Sequence, residues 1–370
     1  MSDHPYKALP DKAFWRRSVV APAARDIDPV GDLKLRITPT MKVATAGSCF
    51  AQHIARHLRK SGYNYFVAET AHPSVMRAVA HANGYGLFSA RYGNVYTARQ
   101  LLQLFWRAFG TFTPIDDIWE GPDGSIVDPF RPSAQPGGFA SEEEMRADRE
   151  WHLGQVKRMF LELDVFVFTL GLTEGWRSKA DGAAYPICPG VEGGQFDPDK
   201  YEFSNQDVLE VLDDMNRFID ALRIVNPSAQ VLLTVSPVPL AATAEPGAHV
   251  LSATTYSKAV LRAAAGMLVK KWDHLHYFPS YEIITSNASK GAYYAADLRN
   301  VVEAGVEHVM GLFLKHATAP AEAQGVTPAA PKGGPALPAA PNPAKASAEF
   351  AAQAEAWVEV MCDEAGLDRP

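Results

Sequence analysis

Residues 43–54 read VATAGSCFAQHI, and the reading of this stretch decides the fold. A short apolar run stops at Gly47, and Phe50, Ile54 and Leu58 then recur at four-residue spacing. The first pattern predicts a strand over 42–46 and the second an amphipathic helix from Phe50. Gly47, Ser48 and Cys49 form the turn between them. Glycine allows a bend that a β-carbon resists. The helix that follows offers unpaired N–H groups and the positive end of its dipole. A serine hydroxyl held there lies beside donors able to stabilise a developing oxyanion, which is what an acyl-transfer nucleophile needs. Plainer readings also fit. Gly-Ser at a strand–helix turn is a common N-cap, and Cys49 is either a second candidate nucleophile or a thiol buried in packing.

The same alternation continues outward. YNYFV (63–67) is β-rich, and helix patterns span roughly 74–83 and 97–109. Pro-Asp-Gly within 119–128 predicts a hairpin. Ser141 with Glu144 predicts a capping box opening a helix to about Leu163. DVFVFTL (164–170) is a continuous apolar run, as in a strand buried on both faces. A long excursion, 172–203, carries a second hairpin signal at Ala180-Asp181-Gly182. Ser204 is the expected cap of a helix to about Asn226. Strand QVLLTV (230–235), a helix over about 253–271, strand LHYF (275–278) and a helix over about 300–316 follow. Strand and helix in alternation predict an α/β fold with a parallel sheet covered on both faces.

The chain has 370 residues, 47% of them hydrophobic, enough for a large core. Residues 1–40 read as an N-terminal arm, 41–317 as the main domain, 318–345 as a Pro/Ala-rich linker and 346–370 as an amphipathic helix fit to dock on this chain or on a partner. A net charge of -7 argues against nucleic acid as a partner. Cys49, Cys188 and Cys362 are too few and too scattered for a disulfide framework or a zinc site. No dinucleotide fingerprint follows the first strand, so neither cofactor nor metal is expected. The polar N-terminus and the lack of a long apolar run make a soluble, cytoplasmic protein without a membrane span the expectation.

GSCFA itself occupies residues 47–51, and RYGNVYTARQLLQL (91–104), DVFVFTLGLTEGW (164–176), TVSPVPLAAT (234–243), TYSKAVLR (255–262) and YFPSYEI (277–283) follow in order. With these blocks the chain resembles the GSCFA family, itself similar to the SGNH (GDSL-like) hydrolases, over about residues 40–315. The resemblance implies a three-layer α/β/α sandwich of about five mostly parallel strands, with Ser48 as nucleophile. It also implies oxyanion donors from the Ser48 N–H, from Gly93-Asn94 and from the block Gly171-Leu172-Thr173-Glu174. SGNH enzymes have Gly-x-Asn-Asp at this last block, and here it reads Gly-x-Thr-Glu. Their base comes from Asp-x-x-His. Asp297 is present, but Asn300 stands in the histidine's place, and an amide cannot accept the serine proton.

His249, in the loop after 230–235, is the first substitute base, with Asp297 to orient it, and His72 is the second. Glu282 is a further carboxylate near a strand end. His308 lies two turns beyond Asn300 and reads as a helix-surface or core histidine, His152 among apolar residues reads as packing, and His53 and His57 read as a charged solvent face. The expected function is a serine esterase or deacylase on an O-acylated substrate such as an acetylated glycan. An O-acetyltransferase on the same scaffold, or a glycan- or protein-binding module that has lost its base, are the alternatives. Trp176, Arg177 and Tyr185 in the excursion suit either a sugar-binding wall or hairpin packing.

Overall fold

The computed structural model describes residues 4–121 and 123–319. The linker and terminal helix expected beyond residue 319 lie outside the described residues. A four-stranded parallel sheet is built from β1 (Val43–Gly47), β4 (Val165–Leu170), β8 (Gln230–Val235) and β9 (Leu275–Tyr277), in the order β1-β4-β8-β9. Register runs Val43↔Val165 to Gly47↔Thr169, then Val165↔Gln230 and Val231↔Leu275. Every residue of β1 and β4 is buried, which is why their sequences are continuous apolar runs rather than alternating ones.

Helices cover both faces. Phe166, Phe168, Val231 and Leu233 point into a core shared with α3 (Ala98–Ala108), α4 (Glu142–Glu162), α5 (Val208–Val225) and α6 (Val250–Lys271). Val43, Val165, Val167 and Leu232 point the other way, onto α1 (Phe50–Lys60), α7 (Ser280–Thr285) and α8 (Glu303–Ala317). The N-terminal arm packs on this second face through Val30, Leu33, Leu35 and Ile37. Period-two alternation thus divides each strand between two cores.

Several expectations change. The 63–67 segment is not a fifth strand. It pairs with β1 only at Tyr65, because the Val43 and Phe66 amides close two hydrogen bonds with Asn64 and Val43 before the chain turns away. The helix expected over 74–83 narrows to α2 (Arg77–Ala82). Ser204 does not cap a helix. It lies in β7 (Tyr201–Asn205), and Asp207 caps α5 in a full capping box with Glu210. The last helix starts at Glu303 rather than near Asn300, since residues 295–300 close a turn of their own through the Ala295 N–H on the Asn300 carbonyl.

Two hairpins form where turn residues predicted them. One joins β2 (Trp119–Glu120) to β3 (Ile126–Val127). The other joins β5 (Glu174–Ser178) to β6 (Ala184–Tyr185), and β7 completes a three-stranded sheet in the order β6-β5-β7.

The topology places the site. After β1 the chain makes its bridge on one side at Tyr65, then crosses to β4 on the other side. Strand order therefore reverses between β1 and β4, and the crevice beyond their carboxyl ends is where such sheets bind ligands.

Candidate functional site

The end of β1 presses against the end of β4. Gly47 has φ +133°, and a β-carbon there would lie 2.7 Å from the Thr169 nitrogen and 2.8 Å from its Cβ. Only glycine fits both the backbone angle and the approach. Ser48 comes next, 3% exposed, and its Oγ has no hydrogen-bond partner among the described residues. Cys49 follows at the N-cap of α1, also buried. The Val95 N–H donates to the Gly47 carbonyl at 2.9 Å, which brings the Gly93-Asn94 turn beside this one. The N–H groups of Gly171 and Leu172 both donate to the Tyr96 carbonyl, at 2.9 and 3.3 Å. Ser48, Cys49, Tyr96, Gly171, Ser236 and Arg299 line a narrow cleft at the switch point.

Of the residues singled out in the sequence, Ser48, Cys49 and Gly171 meet in this cleft. The others lie elsewhere or are engaged locally. Asn94 is buried and lines a neighbouring cavity with Arg107 and Arg131. Thr173 is buried, its hydroxyl donates to Asn205 Oδ1 at 2.7 Å, and its N–H donates to Ser257 Oγ. It holds the loop together rather than pointing a donor at Ser48. Glu174 accepts from the Thr243 hydroxyl and the Ala244 N–H, and so pins the loop after β8.

The expected backbone donors are engaged too. The Ser48 N–H donates to the Thr169 carbonyl at 3.2 Å, continuing the strand ladder.

The base positions differ from expectation. His249 is the exposed N-cap of α6, and its Nδ1 accepts the Leu251 N–H at 3.1 Å. The run 253–271 concealed this, because the helix begins three residues earlier than its apolar stripe. His72 is exposed and paired with Ser74 Oγ. No hydrogen bond among the described residues joins either imidazole to Ser48 or Asp297. Glu282 is engaged by Arg262 and Tyr277. His308 bridges the Tyr293 hydroxyl and the Ile27 carbonyl, away from Ser48.

Asp297 accepts from the N–H groups of Arg299 and Asn300, both at 3.0 Å, and from Asn300 Nδ2 at 2.6 Å. Burial alone would raise its pKa, but these donors hold it below its ordinary value. Asp297 and Asn300 are thus paired within one turn, carboxylate to amide.

Arg299, Tyr96 and Ser236 were not singled out beforehand. Ser236 stands just past the end of β8, so the rule that ligands collect at strand carboxyl ends would have found it. Arg299 reaches the cleft from the Asp297 turn, its Nε donating to the Pro239 carbonyl. Lys258, 2% exposed on α6, donates to the Gly171 carbonyl at 2.5 Å, and beside it Ser257 takes the Thr173 N–H. This pair braces the 171–173 loop from beneath.

Away from the cleft, a buried ionic cluster ties α4 to the loops below it. His152 meets Glu69 at 2.7 Å, and Arg91, Arg131 and Arg149 join Asp148, Asp128 and Asp117. Among the described residues no three His, Cys, Asp or Glu side chains converge as a metal site, and no helix is long and apolar enough to cross a membrane.

Sheet order and cleft define an α/β protein that presents a serine at the carboxyl rim of a parallel sheet, beside a strand-end glycine and an arginine. The sequence pattern of the GSCFA family matches residues 42–313, more than half of the chain, and the chain belongs to that family. No curated protein matches it.

Proposed function

We propose that the chain is an SGNH-like scaffold, of the three-layer sandwich kind, that binds the acyl group of an O-acylated ligand at the Ser48 cleft and does not rely on imidazole-driven hydrolysis. The observation that carries this reading is the Asp297–Asn300 pair, a neutral amide locked in the place of the base. The Ser48 and Gly171 N–H groups, donated to Thr169 and Tyr96, support it further. The Ser48 hydroxyl can hydrogen-bond an ester oxygen, and Arg299 supplies positive charge at the same opening.

A second reading is supported by the position of Ser48 just after the first strand, where the resemblance to SGNH hydrolases implies a nucleophile. On that reading the chain is a serine esterase or deacylase, or an acyltransferase when a sugar hydroxyl replaces water, and it forms an acyl-Ser48 intermediate. General acid–base catalysis is worth about 10²–10⁴ in rate, so an enzyme without imidazole is slow by that factor.

A fluorophosphonate probe tests the choice. The binding reading expects no labelling that differs between the native chain and Ser48→Ala, and binding of a small acetyl ester that Ser48→Ala weakens. Rapid labelling lost in Ser48→Ala overturns it in favour of the esterase.

A further inference from the structure

Arg107, near the end of α3, and Arg131, just after the β2–β3 hairpin, line one narrow cavity together with Asn94, Gln100 and Gln103. Among the described residues no aspartate or glutamate belongs to its wall. It has about 20 Å³ of room for water. A single water needs about 10–15 Å³ by the same measure, so the cavity admits one guest of atomic size and nothing larger.

Each arginine brings a donor that the protein does not use. Arg131 is 2% exposed, its Nε donates to Asp128 at 2.9 Å and its Nη2 to Asp148 at 2.8 Å. Its Nη1 is buried with no acceptor among the described residues. Arg107 Nη2 is buried in the same condition. The Arg107 guanidinium lies 3.9 Å from the centroid of the Phe130 ring, whose face offers it no lone pair. Burial lowers its pKa to about 9, with the charges of Arg149 and Arg131 adding to the effect while Asp128 and Asp117 oppose it. A buried cation without a full counter-charge is costly, and an anion beside it removes that cost.

The rest of the wall narrows the chemistry. Gln100 Oε1 already accepts the Tyr96 and Thr97 N–H groups, and Gln103 Oε1 accepts the Ala184 N–H. The Asn94 amide can turn an N–H toward a guest. A water receives the two guanidinium donors but has two hydrogens of its own to place. A cation is repelled by both arginines. A carboxylate or phosphate exceeds the room. A halide carries no hydrogens, bears the opposite charge and is a single atom only slightly larger than a water.

We infer that this cavity binds one chloride ion between Arg107 and Arg131. Val95 belongs to the same wall, and its N–H donates to the Gly47 carbonyl at 2.9 Å. The ion therefore lies behind the loop that holds the Ser48 turn, and it steadies that loop whatever the Ser48 cleft binds.

The test is thermal melting of the full chain in sodium chloride against sodium gluconate at equal ionic strength. Gluconate is too large for the cavity, so the two salts differ in site binding and not in screening. Chloride is expected to raise the melting temperature saturably, by about 2–4 °C at ten times its Kd. Arg107→Met keeps a side chain over Phe130 and is expected to abolish the rise. Lys157→Met, which removes an exposed cation outside the cavity wall, is expected to retain it. Crystals of the native chain soaked in sodium bromide are expected to show an anomalous peak between Arg107 and Arg131. The inference is overturned if the native chain melts alike in both salts, if a folded Arg107→Met keeps the full rise, or if bromide peaks lie only elsewhere. Should Arg107→Met not fold, the bromide map of the native chain decides alone.

Discussion

Asn300→His asks whether the scaffold lacks only its base. The Asn300 Nδ2 already donates to Asp297 Oδ2 at 2.6 Å, and the backbone N–H groups of Arg299 and Asn300 hold that carboxylate in place. In histidine, Nδ1 is attached to the same Cγ as Nδ2 is in asparagine, so the imidazole inherits the bond to Asp297 and presents Nε2 as acceptor. Arg299, the adjacent residue, reaches the wall of the Ser48 cleft. General-base assistance is worth about 10²–10⁴, or about 2.7–5.4 kcal/mol of barrier. Since the Ser48 and Gly171 N–H groups are donated to Thr169 and Tyr96, oxyanion stabilisation is incomplete, and the gain belongs near the lower end, about 10². The assay is p-nitrophenyl acetate hydrolysis by the native chain, Asn300→His, and the double variant with Ser48→Ala. The rate of Asn300→His is expected to rise with pH through the imidazole pKa, which the ionised Asp297 pushes above 6.5, and the double variant is expected to lose the gain. A folded Asn300→His with native melting and no Ser48-dependent gain refutes the assignment of position 300 as the vacated base.

Other outcomes follow from the same geometry. Gly47→Ala is expected to destabilise the fold by more than about 3 kcal/mol, or to prevent folding, because its Cβ meets the β4 backbone at a positive φ; thermal melting and soluble yield report it. Lys258→Met removes the charged donor from the Gly171 carbonyl and is expected to cost about 1–3 kcal/mol in chemical denaturation. Acid should destabilise the protein in two stages. Burial lowers the pKa of His152, and that of His53 to about 3, so the unfolded chain takes up protons that the folded one refuses as pH falls below 6.5. Burial pushes Glu69 up, but the hydrogen bonds of His152 and the Arg91 N–H and the charge of Arg131 hold it below its ordinary value, so its contribution is lost as pH falls below 4.5. With His152 neutral and Glu69 ionised, both stages have the same sign. A pH series of melting temperatures checks it, and His53→Leu is expected to flatten the limb below pH 6.5.

The sequence by itself determined the α/β alternation, the buried strands and the turn that presents Ser48. Each of these is written in local signals: a period of two or 3.6, an apolar run, a glycine before a helix. It also placed Asn300 three residues after Asp297, where the resemblance to SGNH hydrolases implies a histidine. It misread what depends on partners distant in the chain. Tyr65 stops pairing after one bridge although its segment is β-rich, and His249 caps a helix instead of facing a serine. Tertiary structure alone decided that Thr173 turns its hydroxyl to Asn205, that Arg299 and Ser236 close around Ser48, and that Arg107 and Arg131 line one cavity. Hydrogen bonds are directional and reach only about 3 Å, so which donor meets which acceptor is set by how the helices and loops pack around the sheet, not by spacing along the chain.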